Sequence, residues 1–418
     1  MLSSISGAWK IPELRKKLIF TIAMLFVFRI GAHIPVPGID AEVIKNLFGG
    51  EIFGFMDIIS GGSFKKVTVL AMGIIPYINA SIIIQLLTMV VPYFEKLSKE
   101  GPEGRKKMVQ ITRYGTVLLG FAQAIVMSFY LRSAMTQPNL FGVFTVAITM
   151  TAGTVFLMWL GEQITEKGIG NGISLIIFAG IVARLPSSFY ALFSGAQLGE
   201  INFILLIVFA AIALLVIAGV VTVQEAQRRI PVQYAKRIVG RKMYGGQSTH
   251  IPMKINQAGV IPIIFAMAIL TFPTVFLNFF SATNPVVAFL TNILGYQHPV
   301  YMTLYALLIL VFTYFYTAAT FNVNDVAENL QKHGGFIPGL RPGKPTAQYM
   351  DKVLSRITFA GGVFLMLIAL LPSIAMGITG LNLYFGGTSL LIAVGVALDT
   401  MKQIESHLLM RHYQGFMK

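Results

Sequence analysis

Residues 73–78 read GIIPYI and residues 259–264 read GVIPII, while residues 172–177 read GISLII and residues 387–392 read GTSLLI. Each pair is one motif written twice, with an isoleucine five positions after the glycine. One six-residue match arises easily by chance in apolar sequence. Here, however, both pairs of copies are separated by five hydrophobic spans, which indicates a duplicated five-span unit. The isoleucines that end the motifs are Ile78, Ile177, Ile264 and Ile392, and a glycine follows two of them, at Gly180 and Gly395. The repeat predicts that these four isoleucines share one site.

The composition is that of a membrane protein. Of 418 residues, 55% are hydrophobic and 12% are charged, and the mean hydropathy is +0.73. A chain this apolar is not an ordinary water-soluble globule but a polytopic membrane protein. It has no cysteine, which excludes a disulfide framework, thiolate chemistry and a cysteine metal site.

The apolar runs predict an all-α fold of ten transmembrane helices. The predicted spans are residues 18–34, 73–91, 112–131, 144–161, 173–193, 203–223, 258–280, 302–321, 357–377 and 386–401. They divide into a first five-helix half, residues 18–193, and a second half, residues 203–401. Residues 402–418 form a tail.

The basic residues predict which side of the membrane each loop faces. If the N-terminus is cytoplasmic, nearly all of the 32 Lys and Arg residues fall on the cytoplasmic side. The exceptions are Arg29, within the first span, and Lys45, Lys65, Lys66, Arg132 and Arg184, on the outer side. This asymmetry predicts that both termini are cytoplasmic. Because each half has an odd number of spans, we expect the halves to have inverted topologies. Their isoleucines are then expected to meet near the midplane of the membrane, around a central pore.

The first seventeen residues are predicted to be a cytoplasmic amphipathic segment. Arg15, Lys16 and Lys17 precede the first apolar run, but no small-residue cleavage site follows it, so we interpret the run as a retained span. Trp9, Ile11, Leu14 and Leu18 are expected to lie against lipid headgroups.

Inverted repeats are typical of secondary transporters, so a small-solute transporter is the alternative function. Coupled transporters usually bury an acidic residue or a histidine in the bundle. Here no Asp or Glu lies inside a predicted span, since Glu162 and Asp399 fall at helix ends. A ring of aliphatic side chains excludes water and ions by dewetting and cannot hold a specific solute. It suits a large, chemically varied permeant that slides through.

The stretch between the first two spans includes FGFMDIISGGSF, residues 53–64. A half-apolar segment with a Gly-Gly hinge is typical of a movable stopper. An ordinary outer loop with an interfacial helix is the alternative interpretation.

Two cytoplasmic loops, residues 224–255 and 322–356, are too long to be mere connectors. The first has apolar runs flanking Gly240 and Gly245, which predict a protruding hairpin. It also carries a set of basic residues: Arg228, Arg229, Lys236, Arg237, Arg241, Lys242 and Lys254. The second has Arg341 in a Pro-Gly turn. Ordered basic projections suit an acidic protein partner or ribosomal RNA.

Enzyme signatures are weak. Residues 167–172, KGIGNG, have neither the preceding strand nor the lysine–serine pair of a phosphate loop. His407 and His412 have no further metal ligands nearby in sequence. We therefore expect a protein that is not an enzyme and has no catalytic residue, no metal and no cofactor.

Longer motifs resemble the bacterial SecY family, the channel subunits of the Sec protein translocon. The similarity runs from about Lys17 to about Met401. The motifs that carry it are residues 73–87 (GIIPYINASIIIQLL), 159–174 (WLGEQITEKGIGNGIS), 247–262 (QSTHIPMKINQAGVIP), the turn around Arg341, and 385–392 (FGGTSLLI).

The resemblance implies a function: a channel that translocates unfolded secretory polypeptides across the bacterial cytoplasmic membrane and releases transmembrane segments sideways into lipid. It implies a lateral gate at the second and seventh spans, with the third and eighth beside it, where Pro76 and Pro262 are expected to bend the helices. The implied pore ring is Ile74, Ile78, Ile173, Ile177, Ile264 and Ile392. The implied plug lies at about residues 55–66, with Phe55, Met56, Asp57, Ile58, Ile59, Ser60, Gly61, Gly62, Ser63 and Phe64 as its candidate residues.

The resemblance also implies partners. They are SecE and SecG, the SecA ATPase or a translating ribosome, a client with a signal sequence, and the lipid bilayer. The residues implied to contact SecA or the ribosome are Lys236, Arg237, Arg241, Lys242 and Arg341, of which Arg341 is the family position most tied to SecA.

Overall fold

The computed structural model describes residues 9–40, 60–64, 66–197, 203–234, 237–239, 242–244, 248–277, 284–295, 298–379 and 387–415. The statements that follow concern these residues. The predicted stopper residues 55–59, and Lys236 and Arg241, lie outside them.

The described chain is mostly helical. Before the first strand the helices are α1 (Pro12–Gly31), α2 (Ile75–Val90), α3 (Pro92–Lys99), α4 (Pro102–Tyr130), α5 (Leu140–Lys167), α6 (Gly172–Gln197) and α7 (Phe203–Glu225). After the fourth strand they are α8 (Ile261–Leu277), α9 (Pro285–Ile293), α10 (Pro299–Thr320), α11 (Val323–Lys332), α12 (Lys344–Thr379) and α13 (Gly387–Gly415). A short 3₁₀ turn, Leu131–Ala134, follows α4.

Proline marks many of the helix starts. Pro12, Pro92, Pro102, Pro285 and Pro299 are the first residues of their helices, a position where the missing N–H costs nothing and the fixed φ favours the helix. Pro92 also explains the 99° bend between α2 and α3, because the residue before a proline avoids helical geometry. That residue, Val91, has φ −105° and ψ 117°.

The expectation that Pro76 and Pro262 bend the gate helices is wrong. Each is the second residue of its helix, α2 or α8. In the first turn a proline breaks no hydrogen bond and helps to begin the helix.

A helix covers most of each of the ten predicted spans, but the boundaries differ. Helix α1 ends at Gly31, so residues 32–34 are not helical, and α12 and α13 extend well beyond their predicted spans. By length and hydropathy, four described helices can cross a membrane: residues 102–134, 140–167, 299–332 and 344–371. The bent pair α2–α3 makes up to five. Shorter apolar helices lie at residues 172–187, 210–225 and 261–271.

An all-α description is incomplete, because the two long loops contain strands. These are β1 (Gln227–Tyr234), β2 (Arg237–Val239), β3 (Lys242–Tyr244), β4 (Ser248–Lys254) and β5 (Gly335–Phe336). Strand β1 pairs antiparallel with β4 and, on its other edge, with β5, while β2 pairs antiparallel with β3. The hairpin predicted for the first loop is confirmed. Strand β5 of the second loop, which pairs with β1 of this hairpin, was not predicted.

The N-terminal segment differs from its prediction at Ile11, Leu14 and Leu18, which pack in a small apolar cluster, whereas Trp9 is exposed. Leu14, expected against headgroups, is 4% exposed and packs with Ile169 and Ile404. Thr21 of α1 accepts a hydrogen bond from the backbone N–H of Ile169 at 3.0 Å. The first half of α1 is therefore packed on the α5–α6 turn and on α13.

Candidate functional site: an apolar constriction

All six isoleucines of the predicted ring lie in one apolar cluster. Ile74, Ile78, Ile177 and Ile392 are buried, whereas Ile173 and Ile264 are partly buried against them. The cluster is the general core of the bundle, because it also includes residues of α1, α5, α7, α10 and α12. The six isoleucines therefore belong to the apolar core of the bundle, and their meeting at one constriction stays a prediction.

The motif glycines explain how the isoleucines reach this position. Gly73 has φ +58° and Gly259 has φ +63°, a left-handed geometry that glycine adopts without steric cost. The chain therefore turns sharply at both glycines, and α2 and α8 each begin two residues later. Asn256 fixes the second turn by donating from Nδ2 to the carbonyl oxygen of Gly259 at 3.0 Å.

The other motif pair uses the glycine as the first helical residue, at Gly172 for α6 and at Gly387 for α13. Asn171 caps α6, since its Oδ1 accepts hydrogen bonds from the N–H groups of Ile173 at 3.1 Å and Ser174 at 3.2 Å. Side-chain capping of this kind satisfies the free N–H groups of a first helical turn. It fixes the position of Ile173, the first ring residue of α6.

A cavity of about 490 Å³ opens onto the isoleucines. Four ring residues line it: Ile78, Ile173, Ile177 and Ile264. Its remaining wall has a polar part and an apolar part. Ser81, Gln85, Arg113, Glu162, Thr165 and Glu166 contribute to the polar part, and Ile261 and Phe265 to the apolar part. The cavity therefore presents both polar and apolar surface.

The polar part contains an ion pair that the sequence analysis missed. Arg113 of α4 and Glu162 of α5 approach at 2.9 Å between Nε and Oε1 and at 2.7 Å between Nη2 and Oε2. This two-point geometry is the strong form of an arginine–carboxylate pair. An arginine and a glutamate close to the ends of two predicted spans are the only sequence signal for it.

Helices α2 and α8, the predicted sides of the lateral gate, contact one another. Behind α8, Phe265 packs edge-on against Phe312 and Tyr316 of α10, with ring centroids 5.8 and 6.4 Å apart. Such edge-to-face pairs stabilise packing beyond the area they bury. Among the described residues, no aromatic pair of this kind joins α2 to α8.

The described part of the predicted stopper is the turn Ser60–Phe64. Ser60, Ser63 and Phe64 are 1%, 0% and 4% exposed, and the Oγ of Ser60 accepts a hydrogen bond from the N–H of Phe64 at 3.1 Å. This segment is therefore an internal turn and not a surface loop.

The predicted partner-binding residues are described only in part. Arg237 and Lys242 lie in the paired strands β2 and β3. Arg341 is exposed, and its carbonyl oxygen accepts a hydrogen bond from Oγ1 of the buried Thr346 at 2.8 Å. Gly339 and Gly343, at φ +83° and +97°, form the turn around it. A rigid backbone thus presents the Arg341 side chain to solvent.

The sequence comparisons with known proteins all identify SecY proteins. A family model for SecY matches residues 68–401. Over the full length of this chain, the protein translocase subunit SecY of Halalkalibacterium halodurans is 49% identical, with 100% of that relative covered. The subunit of the same name from Thermotoga maritima is 48% identical, with 98% of that relative covered.

Solved structures agree on the fold. The chain matches a protein-conducting channel with a TM-score of 0.67 at 21% identity, covering 94% of this chain and 92% of that one. A structure concerned with the plug domain of SecY gives 0.67 at 20% identity, with the same shares of the two chains covered. The channel in a canine ribosome–channel complex gives 0.64 at 19%, again covering 94% and 92%.

Proposed function

The chain belongs to the SecY family and is a protein-conducting channel of the translocase; from this premise we propose that its six clustered isoleucines form the seal of the pore. The observation that carries the proposal is the cavity of about 490 Å³ that Ile78, Ile173, Ile177 and Ile264 line together. Ile74 and Ile392 are buried in the same apolar core. A ring of branched aliphatic side chains excludes ions by dewetting, yet it yields to a polypeptide of any sequence.

The transporter alternative is not favoured. Translocase subunits and protein-conducting channels account for the relatives and structures compared above. The ring offers no polar group to bind a small solute, which fits a conduit better than a carrier. The same observation supports a role without catalysis.

We further propose ten membrane spans in two inverted halves, with both termini in the cytoplasm. The two halves share local backbone features, which supports the repeat. Gly73 and Gly259 both have a left-handed backbone, and a helix begins two residues after each. Gly172 and Gly387 share the first helical position. The basic residues concentrated on one side of the predicted spans support the orientation.

The lateral gate is proposed to open between α2 and α8. A client segment in the 490 Å³ cavity can then leave sideways or continue through the ring. Favourable apolar residues contribute about 0.3–0.6 kcal/mol each to insertion. A segment of roughly twenty such residues therefore partitions into lipid despite a few polar ones, and the gate sorts clients by hydrophobicity.

The strands β1, β4 and β5 and the Arg341 turn are proposed as the docking surface for a cytoplasmic partner. One three-stranded sheet joins the two long loops, and Arg228 and Arg229 on β1 are exposed like Arg341. An ordered cationic surface suits the SecA ATPase or the RNA of a translating ribosome. Family membership supports SecE and SecG as the accompanying subunits.

Site-specific crosslinking tests this assignment. A photoreactive probe replaces Ile264, and a secretory chain is stalled during translocation. We expect the probe to crosslink to the stalled chain, and a probe at the exposed Phe289 of α9 to remain unlinked. A stalled chain that links to position 289 and not to position 264 contradicts the proposed path.

A further inference from the structure

Arg29 in the last turn of α1 reaches out of its own helix. Its Nη1 donates a hydrogen bond to the carbonyl oxygen of Gly61, 32 residues later in the chain, at 3.0 Å. An arginine at a helix C-terminus ordinarily stabilises the helix dipole and its last carbonyl groups. Here the guanidinium instead binds the buried Ser60–Phe64 turn.

Gly61 also meets the backbone of α6, at a point where an added Cβ would lie 3.4 Å from Nη1 of Arg29. A Cβ atom at position 61 would lie 3.0 Å from the Cα of Gly180 and 3.6 Å from Cζ of Phe28. Gly61 also has φ +68°, which disfavours any other residue. Gly180 is the glycine that follows the ring isoleucine of the second motif, so the Ser60–Phe64 turn touches α6 one turn beyond Ile177.

The chain immediately after the turn is strained. Val67 has φ +42°, a conformation that a β-branched residue adopts only when its surroundings hold it there. Its carbonyl oxygen accepts a hydrogen bond from the N–H of Val36 at 3.1 Å, and the N–H of Val69 donates to the carbonyl oxygen of Ile34 at 2.9 Å. These hydrogen bonds to residues 34–36 hold Val67 in its unfavourable conformation directly after the turn.

We propose that Arg29 is the positioning residue of the closing segment. Its guanidinium holds Gly61 against Gly180, which fixes the C-terminal end of the segment beside the ring in the resting channel. Translocation breaks this contact. The proposal rests on the assignment of residues 55–66 as the plug.

The test uses the absence of native cysteine. Ser63→Cys introduces a thiol at a fully buried position, where Oγ makes no hydrogen bond within the described residues. The full chain with its partner subunits, resting in right-side-out vesicles, is exposed to a membrane-impermeant maleimide. Labelling of residue 63 then measures how often the segment leaves its place.

Arg29→Gln should accelerate this labelling by about tenfold or more, because a hydrogen bond to a charged group is lost. Arg29→Lys keeps the positive charge but loses the planar guanidinium group, so its labelling rate should lie between those of the unsubstituted Arg29 protein and Arg29→Gln. The matched control is Arg132→Gln. Arg132 also donates to a backbone carbonyl, that of Pro138 at 2.9 Å, but this carbonyl belongs to its own loop. Unchanged labelling in Arg29→Gln, or equal acceleration in Arg132→Gln, overturns the proposal.

A glycine pair tests the other side of the contact. Gly61→Ala places a methyl group against Gly180, whereas Gly62→Ala, at φ +88°, has a similar backbone penalty with nothing within 4 Å. We expect faster labelling only in Gly61→Ala, and equal rates overturn the proposal even where Arg29→Gln does not fold. Fast labelling of Ser63→Cys without a second substitution would instead refute the plug assignment itself.

Discussion

The guanidinium of Arg113 and the carboxylate of Glu162 form a two-point ion pair between α4 and α5, with contacts of 2.9 and 2.7 Å. The Glu162 side chain is 18% exposed and the Arg113 side chain 49%. The pair lines the cavity through which a client is proposed to enter. The pair is therefore a structural contact between two helices and also part of the cavity wall.

Breaking this pair should loosen the α4–α5 contact modestly. Because Arg113 is about half exposed, we expect Glu162→Gln to lower the free energy of unfolding by about 1 kcal/mol at most. The exchange Arg113→Glu with Glu162→Arg should recover part of it. Thermal unfolding in detergent measures the effect, and Glu95→Gln, which removes the exposed pair with Lys99, should leave the transition unchanged. An exchange variant no more stable than either single reversal would show that the pair contributes nothing.

Thr21→Val should destabilise the α5–α6 turn. Thr21 is 7% exposed, and the substitution leaves the buried N–H of Ile169 without its acceptor. An unsatisfied buried donor costs about 1–3 kcal/mol. Thr222→Val is the control, because Oγ1 of Thr222 donates to Ala218 of its own helix. Equal unfolding temperatures for the two variants would contradict the bridging role of Thr21.

Gly172→Ala should disturb the position of α6. The added Cβ would lie 1.9 Å from the carbonyl oxygen of Gly161 on α5, so the helices must separate, at a cost of about 1–3 kcal/mol. Gly219→Ala in α7 has nothing within 4 Å of its new Cβ and should be neutral or slightly stabilising. Protein yield and unfolding temperature compare the two. A Gly172→Ala protein as stable as wild type would refute the close approach.

Arg341→Glu should block ATP-driven export into membrane vesicles while leaving the fold intact. The side chain is exposed, and its turn is set by the backbone of Gly339 and Gly343, so reversal of the charge alters the surface alone. Lys352→Glu changes an exposed charge on α12 in the same loop and serves as the control. Export at the wild-type rate by Arg341→Glu would count against a motor-docking role.

The sequence predicts the helices because an apolar run is a local signal for a helix. It also predicts that the motif isoleucines are apolar core residues, which the structure confirms, whereas a ring formed by them stays a prediction. Helix ends were less predictable, since the polar extensions of α12 and α13 lack the hydropathy that marks a span. From sequence alone, a proline in the first turn of a helix cannot be told from a proline inside the helix, because the residue at which the helix begins is not known.

Contacts between residues far apart in the sequence had no local sequence pattern from which they could be predicted. Strand β5 has only two residues, Gly335 and Phe336, too few for a periodic pattern. The hydrogen bond from Arg29 to Gly61 forms only because the Ser60–Phe64 turn packs beside α1. No pattern in the sequence predicts where that turn packs. An arginine inside a predicted span is nevertheless an unusual residue that marks a candidate functional position.

The measurement that tests the isoleucine seal most directly is the resting conductance of the complex in planar bilayers. Ile78, Ile177, Ile264 and Ile392 are replaced together by Asn, with replacement by Val as the control that keeps the ring apolar. The seal predicts an ion leak through the resting Asn variant and none through the Val variant, because polar side chains hydrate the constriction. A resting conductance of the Asn variant equal to wild type would contradict it.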